Sequence, residues 1–155
     1  MASYTTPPIP IPSPDTRRAE LVFSGVEQGG PSFEGRVFLN RTDADEQTPR
    51  TPEMGYAGSF HVYGYGPVAP PAIEAARQAG APGPWAPIEK RIDADETVVR
   101  AAAHEADALT VTVVAVPVEP SDSMPARPFT HVGVVFDVHS DEEDHARDRN
   151  GSDLA

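Results

Sequence analysis

Hydrophobic and polar residues alternate along much of the chain, which predicts β-strands. Four segments have the period of two that is typical of a half-buried strand: 19–26, 33–40, 56–66 and 131–139. A fifth, brief strand is predicted between Ile88 and Ile92. Segment 109–118 (LTVTVVAVPV) is apolar on one face throughout and partly apolar on the other, which indicates a strand near the centre of a sheet.

Helical signals are few. Residues 70–79 predict a short helix that begins after proline and ends at Gly80, and Asp95 can cap a second helix that runs to about Glu105. The connector 41–55 is rich in Asp, Thr and Pro, which predicts a long exposed loop. Because strand follows strand with only these insertions, we expect a mainly β fold: an antiparallel β-sandwich or open barrel with one or two short helices.

The two ends differ in composition from the middle. Five prolines between residues 7 and 14 fix φ and remove backbone donors, so residues 1–16 are predicted to form a flexible Pro-rich arm. Residues 17–139 are predicted to form the β-sandwich domain. Residues 140–155 carry six acidic side chains and two arginines, which indicates an acidic disordered tail.

Charge and composition exclude several kinds of partner and site. The formal net charge of -12 argues against nucleic acid or an anionic membrane, since such partners are bound by clustered Lys and Arg. The absence of cysteine excludes disulfides, thiolate nucleophiles and thiolate metal centres. With neither a membrane-spanning apolar run nor the apolar segment of a signal peptide, the sequence predicts a cytoplasmic protein.

The chain contains five histidines, which are the residues that could bind a metal ion. His131 and His139 share a face of one predicted strand but lie eight residues apart, about 26 Å at ~3.3 Å per residue. These two histidines are too far apart to share one metal ion, so a site would have to pair His61 or His139 with Asp137 or with another strand. Surface histidines are the expectation, and His61, His131, Asp137 and His139 are the candidates for the alternative. No nucleophile elbow or phosphate-binding glycine loop is present, so we predict no catalytic residue, no cofactor and no enzyme.

Aromatic residues provide the main candidate for function. His61, Tyr63 and Tyr65 share one face of the predicted strand 56–66, and aromatic side chains with polar tips are favoured at protein interfaces. Phe38 and Trp85 are further candidates for the same interaction face. The alternative is that these side chains form a second, half-buried face of the sheet.

The segments FEGRVFLN, DAD…TP and YAGSFHV between Phe33 and Gly66, with ETVVRAAA and LTVTVVAVPVEP downstream, resemble a known module. It is similar to the C-terminal β-domain associated with bacterial tyrosinase and polyphenol-oxidase-like proteins, which have type 3 copper centres. In such domains a side chain can project into the copper pocket and occupy the substrate position, and the resemblance implies Tyr63 or Tyr65 for this role. The chain lacks the His- and Cys-containing loop and the copper domain expected of such proteins.

The resemblance implies a freestanding, non-enzymatic accessory module. It would dock on a tyrosinase-like copper protein, shield its site or assist its folding and copper loading. The first alternative is a structural or self-associating β-domain with an aromatic interaction face. A weaker alternative is a small histidine-based metal-carrying protein.

Overall fold

Antiparallel strands make up most of the secondary structure in the computed structural model, which describes residues 2–28, 30–64, 78–79, 87–119, 124 and 128–138. The strands are β1 (Ala2–Thr5), β2 (Ile9–Pro10), β3 (Thr16–Val26), β4 (Phe33–Leu39), β5 (Tyr56–Val62), β6 (Ile88–Asp93), β7 (Ala108–Leu109), β8 (Val111–Pro117) and β9 (His131–Val138). A 3-10 helix spans Pro52–Met54, and helix α1 spans Glu96–Glu105.

These strands form two principal sheets and one small ladder. The four-stranded sheet has the order β1-β8-β4-β5, and the three-stranded sheet has the order β6-β3-β9. Strands β2 and β7 form the two-stranded ladder, and every pairing is antiparallel. The predicted mainly β, antiparallel fold is confirmed, and β8 lies inside its sheet between β1 and β4 as its apolar pattern indicates.

The hydrophobic core lies between the two principal sheets. Phe23 of β3 and Phe60 of β5 meet across it with ring centroids 4.6 Å apart, and Phe129 contacts Phe23 edge-on at 5.5 Å. The odd-numbered residues of β4 and β8 face this core, so the other faces of these strands point away from it. Period-two burial of this kind fixes the register of the strands.

Helix α1 adds to the same core beside the sheets. Val98 and Val99 are buried on its inner side. Asp95 caps the helix, as predicted, because its Oδ1 accepts hydrogen bonds from the backbone N–H groups of Thr97 (2.9 Å) and Val98 (3.3 Å). Within the described residues, no helix has both the length and the hydropathy needed to cross a membrane.

The N-terminus differs from the sequence prediction. Residues 2–5 pair with β8 and residues 9–10 pair with β7, although a flexible arm was predicted through residue 16. Tyr4 reaches the core, where its ring meets Phe129 edge-on at a centroid distance of 5.2 Å. The prolines do not prevent this pairing because β1 contains none and Pro10 lies in a two-residue ladder at a sheet edge.

The connector 41–55 is mostly exposed, as predicted, but one of its residues is buried against the sheet. It follows Asn40, which has a positive φ of 56° and whose Oδ1 accepts a hydrogen bond from Thr110 N (3.0 Å). The connector then folds back over the outer face of the four-stranded sheet. There Ala44 is buried against Phe38 and Val114 in a second, smaller hydrophobic cluster.

Three predicted features lie outside the described residues. These are the loop that contains Trp85, the acidic tail from residue 140, and nearly all of the helix predicted over residues 70–79.

Candidate interaction surface

Among the residues that the structure describes, none covers one end of the outer face of the four-stranded sheet. Phe33 is opposite Val62 on one side and Pro117 on the other, so the next row contains Tyr63, Ser32 and Val118. A backbone hydrogen bond from Val118 N to Ser32 O (3.0 Å) extends the ladder into this row. Tyr63 is 74% exposed and Val118 is 62% exposed, the two highest values among large hydrophobic side chains of the described residues.

Hydrogen bonds hold the backbone on both sides of Tyr63. Its carbonyl oxygen accepts from Gln28 Nε2 (3.4 Å), and the following Gly64 N donates to Ser32 Oγ (2.9 Å). Gly64 is required here because a Cβ at this position would overlap the carbonyl oxygen of Gly30. The Tyr63 ring is therefore exposed to solvent on a backbone whose position is fixed from two sides.

His61 lies beside this row and contacts a cluster of charged side chains. It is opposite Glu34 of β4, and its Nε2 is 3.8 Å from Glu34 Oε2. The other carboxylate oxygen of Glu34 accepts from Arg36 Nε (3.1 Å) and Arg50 Nη1 (3.4 Å). Since the Glu34 side chain is 19% exposed and His61 is 60% exposed, the imidazole forms the accessible rim of the cluster. The name "β5 patch" is used below for Tyr63, Val118 and His61.

The other aromatic candidates are placed differently. Phe38 is fully buried under the connector, so the sequence prediction that it contributes to an exposed interaction face is wrong. The sequence did not predict the loop that covers it. Tyr65 and Trp85 lie outside the described residues. Val118 was not predicted as a site residue, because its place beside Tyr63 depends on the order and register of β8, β4 and β5.

The described histidines do not fit a copper centre of the type 3 kind. His61 is on β5 and contacts arginine-bound Glu34, His104 is on α1, and His131 and Asp137 are at opposite ends of β9. No group of three or more His, Asp or Glu side chains in the described part of the chain could hold a metal ion. His139, the remaining weak candidate, lies outside that part.

Comparisons with known proteins bear on the fold. No protein-family model and no curated protein matches the chain. Among solved structures it is similar to recombinantly expressed latent aurone synthase, a polyphenol oxidase, with 15% identity and a TM-score of 0.51 over 87% of this chain. Latent aurone synthase from its natural source gives 16% identity and a TM-score of 0.51 over 88% of this chain.

The chain spans about a quarter of the length of these oxidases, 24% and 25% respectively. At such low identity the likeness establishes the fold alone. The resemblance to the β-domain of polyphenol-oxidase-like proteins is confirmed at that level.

Proposed function

We propose that this chain is a non-enzymatic accessory module that docks on a type 3 copper domain through the β5 patch. The observation that carries the proposal is the row Tyr63–Ser32–Val118, in which two large exposed side chains stand together at the open end of a sheet. Tyrosine is enriched among the residues that dominate binding energy, particularly when an apolar neighbour helps to exclude water around it.

The fold supports the choice of partner. A chain of this fold constitutes about a quarter of a polyphenol oxidase that is described as latent. In this proposal the same kind of module covers the copper domain, and Tyr63 is the described side chain that projects toward its pocket. Shielding of the site, or assistance in its folding and copper loading, follows from such a contact.

The β5 patch has the composition of a protein interface, with an apolar centre and a polar rim. Tyr63 and Val118 supply the apolar centre, while His61 and the Glu34 carboxylate supply a polar border. In this proposal the reacting centre, the copper pair, belongs to the partner, and this chain contributes the contact surface.

Co-expression with a tyrosinase-like copper domain tests the proposal. The expected result is that the wild-type chain changes the copper content, the soluble yield or the catechol-oxidising activity of that domain, and that Tyr63→Ser weakens the change. If the copper domain has the same copper content, yield and activity with and without this chain, the proposal is overturned.

A further inference from the structure

The edges of the three-stranded sheet differ in their protection against pairing with another strand. Edge strand β6 carries four charged side chains among its six residues, and Arg91 bonds to Glu20 Oε1 (2.7 Å) and Glu89 Oε1 (3.2 Å). Charged side chains of this kind are a common protection of sheet edges. Edge strand β9 spans eight residues with no lysine, arginine or proline, and its centre reads VGVVF. Its charged or titratable side chains, His131 and Asp137, lie near its two ends.

The other sheet has less accessible edges. Strand β5 is interrupted by a bulge at Gly58, and the Ala57 carbonyl next to it already accepts a hydrogen bond from Asp95 N (2.9 Å). Strand β1 is only four residues long. Within the described residues, β9 is therefore the long edge strand without a bulge, a proline or a central charge.

We propose that β9 is a self-association surface that pairs antiparallel with β9 of a second copy of this chain, about a two-fold axis at Val134. The three-stranded sheets of the two copies then form one continuous six-stranded sheet. A two-fold pairing is isologous, so each contact occurs twice. Residues opposite each other in an antiparallel pair share a face, so the cores of both copies stay on the same side of this sheet.

The side chains of β9 are complementary in this register. His131 lies opposite Asp137 of the second copy, so an imidazole meets a carboxylate at both ends of the paired strands. Gly133 lies opposite Val135, which is 61% exposed in the single chain. A Cβ at Gly133 would have no neighbouring atom closer than 3.9 Å, so the space above this glycine is open to the valine of the second copy.

Neighbouring registers lose this match. A shift that centres the pair on Gly133 places His131 opposite Val135, and one that centres it on Val135 places Asp137 opposite Gly133. If one strand slides along the other by a single position, each core-facing residue lies opposite a solvent-facing residue of the second copy. The match of an imidazole with a carboxylate at both ends therefore selects a second copy in the Val134-centred register as the occupant of this edge. Asp137 also has Arg18 of β3 opposite it in its own chain, and the pairing leaves that neighbour in place.

Sedimentation velocity of the full chain over a wide concentration range tests the pairing. A monomer–dimer equilibrium is expected, with weak affinity because a single strand pair buries a small area. Val135→Lys places a charge in the centre of the contact and is expected to raise the dimer dissociation constant at least tenfold. Val118→Lys is the matched control, since Val118 is equally exposed (62%) but lies in the other sheet, and it should leave the dimer unchanged.

Charge exchange tests the register. His131→Asp sets two carboxylates against each other and is expected to weaken the dimer, whereas the exchange His131→Asp with Asp137→His restores an opposed pair and should return the dissociation constant to within about threefold of wild type. Circular dichroism of each variant separates lost pairing from lost folding.

A chain that stays monomeric at every concentration overturns the proposal and leaves β9 open to a strand of a different protein. Equal weakening by Val135→Lys and Val118→Lys, or failure of the exchange to restore the dimer, also overturns it. Val135→Lys should still dock on the copper domain, so failure of the dimer and failure of the proposed function are distinguishable.

Discussion

Tyr63 and Val118 lie on either side of Ser32, in one row across the open end of the four-stranded sheet. Strand β4 lies between the two strands that lead to these residues. The backbones of Tyr63 and Val118 are therefore about 10 Å apart, or two interstrand spacings. This separation brings both side chains within the area of a single protein contact. Toward the other end of the same face, the chain's own connector packs on Phe38 and Val114.

Substitution of Phe38 is expected to detach the connector. Phe38 is fully buried, and its ring centroid is 5.5 Å from that of Tyr56. Phe38→Ala should lower the free energy of unfolding by about 3–5 kcal/mol, as for other buried aromatic residues. Trypsin should also cleave faster after Arg41 and Arg50 in the connector. An unchanged urea midpoint and unchanged cleavage would mean that the connector does not pack on this face.

Gly35 is expected to tolerate no side chain. A Cβ at this position would lie 2.5 Å from Phe60 Cζ, inside the main core. Gly35→Ala should therefore reduce the free energy of unfolding by about 1–3 kcal/mol, through displacement of the Phe60 ring. Gly133→Ala is the matched strand control, because its Cβ has open space, and it should be neutral or stabilising by up to about 1 kcal/mol. Equal effects of the two substitutions in urea titrations would contradict this packing.

The N-terminal segment is expected to contribute to stability. Tyr4→Ala removes the ring that packs edge-on against Phe129, and it should lower the free energy of unfolding by about 2 kcal/mol from lost aromatic contact and apolar burial. Tyr4→Phe keeps the ring and should lose less. If neither substitution alters thermal unfolding, residues 2–5 are not held on β8 in solution.

The local pattern was sufficient to predict most strands of the fold. The alternation in FEGRVFLN predicts that Phe33, Val37 and Leu39 share one face of a strand, and all three are buried in the main core. Asp95 was identified as a helix cap because its side-chain chemistry and its position relative to the apolar residues of α1 are both local. Such features depend on a few neighbouring residues and are visible without knowledge of the fold.

Contacts between distant segments were not predictable in this way. Nothing near Ala44 in the sequence indicates that it covers Phe38, since the contact requires the connector to reverse direction at Asn40. The prolines of the N-terminal segment suggested an arm because their effect on φ is local, whereas the unpaired edge of β8 that receives residues 2–5 is set by the sheet. Val118 was missed for the same reason: its partner in the β5 patch is brought close by strand order.

Substitutions in the β5 patch are expected to leave stability nearly unchanged. Tyr63→Ser and Val118→Lys alter exposed side chains and should change the free energy of unfolding by no more than about 0.5 kcal/mol. Gly64→Ala, in contrast, should be destabilising because its Cβ would overlap the backbone of Gly30. Thermal unfolding of the three variants checks this difference, and a large loss for Tyr63→Ser would indicate a structural role for the ring.

The most direct test of the proposed function is titration calorimetry of the chain with a tyrosinase-like type 3 copper domain. The wild-type chain is expected to bind, and Tyr63→Ser with Val118→Lys should raise the dissociation constant by about tenfold or more, equivalent to the ~1.4 kcal/mol or more expected from central interface residues. Val135→Lys, which alters a valine of similar exposure in the other sheet, should bind as wild type does. Binding that is absent in the wild type, or unaffected by the Tyr63 and Val118 substitutions, would contradict docking through the β5 patch.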